Sequence, residues 1–150
     1  MAEGVFTKLA IACEYLDLAM QLHVEQENYF CAIHLAATAE ELFGSHLPEK
    51  DRMHTISWKT QRALHVLETC REPTKKELSN VVTYAKNAIK HGGERSVTLD
   101  PIFEARWHIE HALINFNKLT KIEAWAQQLR KSPIMWKFEQ HRAEEMRQLG

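Results

Sequence analysis

The dipeptides Asp100-Pro101 and Ser132-Pro133, and the tetrad Thr74-Lys75-Lys76-Glu77 directly behind Pro73, mark helix starts along this sequence. In each dipeptide a short oxygen-bearing side chain can accept from unpaired backbone amides at the N-cap. Proline then takes the first helical position, where its missing N–H is not needed. In the tetrad, the Thr hydroxyl and the Glu carboxylate can satisfy each other's backbone amides as a capping box. Five glycines and four prolines are too few for the many tight turns of an all-β fold. Apolar side chains make up 45% of the 150 residues, enough for one sizeable core, and the length is too short for two ordinary domains. The expectation is a single all-α domain over residues 1–150, a compact bundle of five to six helices.

Apolar residues at helical spacing place the helices. A first helix is expected from about Val5 to His23, with apolar stripes on two sides, and a second from about Tyr29 to Ser45, apolar around most of its circumference and therefore central. Pro48 and Asp51 mark a loop to about Thr55. Ser57 is expected to cap a third helix that Pro73 stops, and a fourth runs from the capping box to Gly92-Gly93. Asp100-Pro101 opens a fifth, drawn as far as Arg130, and Ser132-Pro133 opens the last.

A net charge of −1 hides an asymmetry. Residues 1–51 carry two basic and nine acidic side chains, net −7, and residues 52–150 carry seventeen and eleven, net +6. That balance argues against a protein that coats nucleic acid over its whole surface, and leaves room for a local basic site in the second half. Cys13, Cys31 and Cys70 are odd in number and widely spaced, unlike a disulfide framework or a zinc motif. With no signal-peptide pattern and no apolar run of membrane-spanning length, a cytoplasmic protein without membrane contact is expected.

The segment Tyr84-Ala85-Lys86-Asn87-Ala88-Ile89-Lys90-His91 carries the chemistry. At 100° per residue, Asn80, Tyr84, Asn87 and His91 fall within about 60° on one polar face of the fourth helix. Lys86 and Lys90 lie on the opposite flank, with Lys86 about 140° from His91 unless the Gly92-Gly93 end unwinds. This segment resembles the signature of the higher eukaryotes and prokaryotes nucleotide-binding (HEPN) superfamily: an Arg, a polar residue that is often Asn, then His after a gap of four to six. Asn87 and His91 match, and Lys86 stands where Arg belongs. The second helix, Phe30 to Gly44 with its Glu40-Glu41 pair, is similar to a helix of some bacterial HEPN-like proteins.

The resemblance covers about a quarter of the chain. It implies a HEPN-like bundle that forms a homodimer and binds RNA, a nucleotide or an antitoxin-type protein partner. The alternative is a metal-independent ribonuclease of toxin or defence type. For cleavage, the RNA's own 2′-hydroxyl attacks the phosphodiester and the enzyme supplies acid, base and cationic donors. His91 is the candidate acid or base, Asn87 orients phosphate, and Lys86 neutralises it as a point charge without the planar fork of arginine. Tyr84, Lys90 and Asn80 are the accompanying binding residues, with no cofactor and no metal.

Glu40 sits on an otherwise apolar helix, where an unpaired carboxylate is costly, so it needs a partner: Lys86 or His91 in a functional site, or another helix in a structural pair. Glu104, His108 and His111, joined by Asn115, form a stripe on the fifth helix opposite its apolar face and read as solvated surface. The aromatic residues, Trp107 and Phe116 among them, read as core or interface.

Overall fold

A computed structural model describes residues 4–90 and 96–150. The described residues form α1 (Lys8–Val24), α2 (Tyr29–Gly44), a 3₁₀ turn (Glu49–Asp51), α3 (Met53–Thr69), α4 (Lys75–Val82), α5 (Tyr84–Lys90), α6 (Pro101–Leu119), α7 (Glu123–Ala126) and α8 (Pro133–Leu149). There is no strand among them, as expected for an all-α chain. No helix among them is long and apolar enough to cross a membrane.

The three start signals act as caps. Asp100 accepts from Ile102 and Phe103, Ser132 accepts from Met135, and Thr74 with Glu77 closes a full capping box. Thr7 caps α1, so that helix starts three residues later than Val5.

Among the described residues the count of five to six helices is corrected to eight, because two expected helices are divided. The first division falls at Thr83, which leaves helical geometry (φ −124°, ψ 8°) after the β-branched pair Val81-Val82. The Thr83 hydroxyl donates to the Ser79 carbonyl, and Asn87 Nδ2 donates to Thr83 Oγ1 at 3.0 Å, so side chains stabilise the break. The second division follows Leu119, where Ile122 turns extended before α7, so the fifth helix does not run to Arg130. The third helix begins at Met53, four residues before Ser57, which is buried inside it. It ends at Cys70 in the left-handed region (φ 56°) rather than at Pro73.

The core is built around α2, which packs most extensively on α1 and α6. Ala32, Ala36, Ala39 and Phe43 fall on one stripe of α2, and three alanines in that stripe bring the neighbouring helix axes close. Ile33, Ala37, Glu40 and Gly44 form the adjacent stripe, also buried. From α6, Ala105, Ile109, Ala112, Phe116 and Leu119 complete the centre, with Phe116 edge-on to Phe43 at 5.7 Å. Helix α8 lies along α1 and inserts Met135 and Phe138. Its outer charges reach α6 through Arg142–Glu110 and Arg106–Glu145 ion pairs. Helix α3 packs against α4, and α5 lies on α2. All three cysteines are free thiols.

Candidate functional site

A cavity of about 200 Å³ opens where α2, the start of α3, the α4–α5 joint and α6 converge. From α2 it takes Glu40, Glu41 and Gly44, and from the approach to α3 it takes Arg52 and His54. The joint contributes Val82 and Thr83, α5 contributes Lys86, and α6 contributes His108, His111 and Asn115. The break at Thr83 therefore shapes the wall of the cavity as well as ending a helix.

The floor is set by the stripes of α2 and α6 that face each other. Glu40 is 8% exposed and looks at His108 (Nδ1 to Oε2, 3.6 Å) and His111 (Nδ1 to Oε1, 3.8 Å), themselves 3% and 7% exposed. Burial alone raises the pKa of the Glu40 carboxyl, but the two imidazoles together outweigh it and hold the value at about 2. The expectation that this α6 stripe is solvated surface is overturned: a buried carboxylate on one helix requires polar company, and His108, His111 and Asn115 provide it. Asn115 Nδ2 donates to the Glu40 carbonyl at 3.1 Å, and Asn115 Oδ1 accepts from the Met53 amide at 3.0 Å. That second bond caps α3 from a distant helix, where its own N-cap residue, Arg52, provides no side-chain acceptor. His111 also packs its ring on Trp107, with centroids 4.3 Å apart.

Lys86 reaches the same cavity from α5 and forms an ion pair with Glu41. Burial pushes its ammonium below the ordinary lysine value, against the pull of the nearby Glu40 charge. Glu41 is largely exposed, so the pair spans from the interior to the surface. Arg52 approaches from the other side, its Nε donating to the Leu47 carbonyl at 3.1 Å.

The structure thus brings Glu40 and Lys86 to one cavity and separates the other sequence candidates. Asn87 turns back onto Thr83, and Tyr84 is half-buried on the same short helix. Asn80 is exposed on α4, across the break, so the single polar face of Asn80, Tyr84 and Asn87 on one continuous helix does not form. Lys90 is exposed at the end of α5. His91 and Gly92-Gly93 lie outside the described residues. Arg52 and His54 carry no signal in the sequence, and His108, His111 and Asn115, expected as solvated surface, line the cavity instead. The signal for the latter three was present: a carboxylate on an apolar helix, and one polar stripe at helical spacing on another helix able to face it.

Chemically, the cavity holds a carboxylate held well below its ordinary pKa, imidazole rings beside it, and cationic side chains from two directions. Among the described residues, no group of three or more His, Cys, Asp or Glu side chains is arranged to hold a metal ion. No family model matches the chain, and no curated protein or solved structure is significantly similar to it.

Proposed function

We propose that this chain is a HEPN-like module that binds RNA or a nucleotide, with its binding centre in the cavity between α2, α5 and α6. The observation that carries this reading is that Lys86, from the segment resembling the HEPN signature, and Glu40, from the second similar helix, line one cavity. Lys86 supplies a phosphate-binding point charge, and Arg52 lines the same cavity from the other side. Exposed apolar side chains on the first two helices, Leu18 and Phe30, support a homodimer in which this surface is covered by a second copy or by an antitoxin-type protein. Calorimetric titration with nucleoside 5′-monophosphates and a short oligoribonucleotide tests the binding reading. Saturable heat from the wild type that is lost in Lys86→Ala supports it, and no binding by the wild type contradicts it.

Metal-independent RNA cleavage is the second reading. It is favoured by the imidazoles placed beside the Glu40 carboxylate, whose pKa is held at about 2, a pairing that suits acid–base work. Incubation of RNA in EDTA is expected to give products ending in 2′,3′-cyclic phosphate, and His91→Ala is expected to stop cleavage while binding persists. Equal cleavage by that variant contradicts a role for His91.

A further inference from the structure

We propose that the cavity selects guanine, with the Glu40 carboxylate accepting hydrogen bonds from the N1–H and the 2-amino group of the base. This inference rests on the nucleotide-binding reading above and adds the identity of the base.

Size comes first. At about 200 Å³ the cavity is smaller than the roughly 300–1,000 Å³ of sites that enclose a drug-sized ligand. It suits a single ring system with the sugar and phosphate outside. The Lys86–Glu41 pair lies between the interior and the surface, so the ammonium marks the mouth and is placed for that phosphate.

Donor and acceptor chemistry then chooses the ring. An ionised carboxylate accepts at both oxygens and donates at neither. Glu40 is nine-tenths buried, and both imidazole nitrogens stand beyond normal hydrogen-bond length, at 3.6 and 3.8 Å, so its oxygens retain accepting capacity. A base that meets this floor must present donors side by side. Guanine does so, with N1–H next to the 2-amino group. Adenine and cytosine present an amino group beside an accepting ring nitrogen, which would face the carboxylate's negative charge. Uracil presents one N–H between two carbonyl oxygens. The remaining guanine acceptors, O6 and N7, are of the kind that basic side chains satisfy, and Arg52 and His54 line the same cavity.

The test is calorimetric titration of the wild-type chain with guanosine, inosine and adenosine 5′-monophosphates under identical salt. A bidentate contact of this kind discriminates by about 1–3 kcal/mol, so the guanosine nucleotide is expected to bind roughly 5- to 150-fold more tightly than the adenosine nucleotide. The inosine nucleotide, which lacks only the 2-amino group, is expected to fall between them. Glu40→Gln replaces one acceptor by a donor and is expected to narrow the guanosine-to-adenosine ratio, with circular dichroism checking that the variant is folded. The wild-type inosine comparison needs no variant and decides the matter if Glu40→Gln does not fold. Guanosine and inosine nucleotides binding alike, or guanosine and adenosine nucleotides binding alike, overturns the guanine assignment and leaves the nucleotide-binding reading standing. No binding by any of the three overturns both.

Discussion

The side-chain amide of Asn115 on α6 donates to the main-chain carbonyl of Glu40 on α2 at 3.1 Å, in the interior and 75 positions away in sequence. The same side chain accepts from Met53 at the start of α3, so one residue joins three helices around the cavity. Asn115→Ala removes both bonds and leaves the Met53 amide at the start of α3 without its acceptor, while the Glu40 carbonyl keeps the hydrogen bond of its own helical turn. At about 1–3 kcal/mol for the stranded amide, with about 1 kcal/mol more for the lost bond to the Glu40 carbonyl, a loss of roughly 2–4 kcal/mol is expected in urea denaturation. A loss under about 0.5 kcal/mol, the ordinary size of a surface substitution, would contradict this role.

Glu40 makes stability depend on acid. Its carboxyl titrates at about 2 in the folded chain, against 4.5 as the ordinary value, so the folded state binds its proton less readily than the unfolded state. The resulting stabilisation, on the order of 3 kcal/mol, is complete above about pH 4.5 and is lost as pH falls towards 2. Denaturant midpoints measured from pH 5 to pH 2 are expected to fall steeply for the wild type and less steeply for Glu40→Gln. Parallel curves for the two proteins would show that Glu40 is not the titrating group.

A second titration begins at higher pH. His23 on α1 is 5% exposed, its Nδ1 has no hydrogen-bond partner, and its ring lies edge-on to Tyr29, Phe138 and His141. Burial lowers its pKa. Glu145 opposes that shift, while His141, Arg106 and Arg142 add to it. The unfolded chain therefore takes up this proton more readily, and stability begins to fall as pH drops below about 6.5. His23→Leu is expected to remove this upper part of the pH dependence, read from melting temperatures between pH 7.5 and 5, and to leave the Glu40 part in place.

Ala36 on α2 is fully buried in the alanine stripe of the central helix. Ala36→Leu forces three extra carbons into that contact and is expected to destabilise the fold by about 1–3 kcal/mol or more. Glu41→Gln, on the exposed side of the same helix, is expected to change stability by under about 1 kcal/mol, because it touches only a surface-reaching ion pair. Thermal melts of the two variants make the comparison, and equal effects would contradict the central placement of α2.

Local chemistry wrote the helix starts into the sequence. Thr74, Asp100 and Ser132 each act through amides within three residues, so no tertiary information is needed to find them. The starts and breaks that escaped are those decided across the fold or by side-chain competition. Helix α3 begins at Met53 because Asn115 caps it from α6, and a continuous fourth helix fails at Thr83, whose backbone leaves helical geometry behind the β-branched Val81-Val82 pair.

The site divides in the same way. Glu40 was legible because a carboxylate on an apolar helix must find a partner, whereas the identity of that partner depended on which face of α6 met α2. Treating His108, His111 and Asn115 as a wet stripe followed from the width of the α6 apolar face alone. In the fold α6 is enclosed by α2 on one side and by the α3 entry on the other, and the stripe lies between them.

RNA or nucleotide binding is proposed for the cavity that Lys86 and Glu40 line. Fluorescence anisotropy of a labelled oligoribonucleotide in EDTA, with wild type and Lys86→Glu compared at two salt concentrations, tests it most directly. Salt-dependent binding by the wild type that weakens at least tenfold in Lys86→Glu is the predicted result. Undiminished binding by a folded Lys86→Glu, or no binding by the wild type at low salt, would contradict the account.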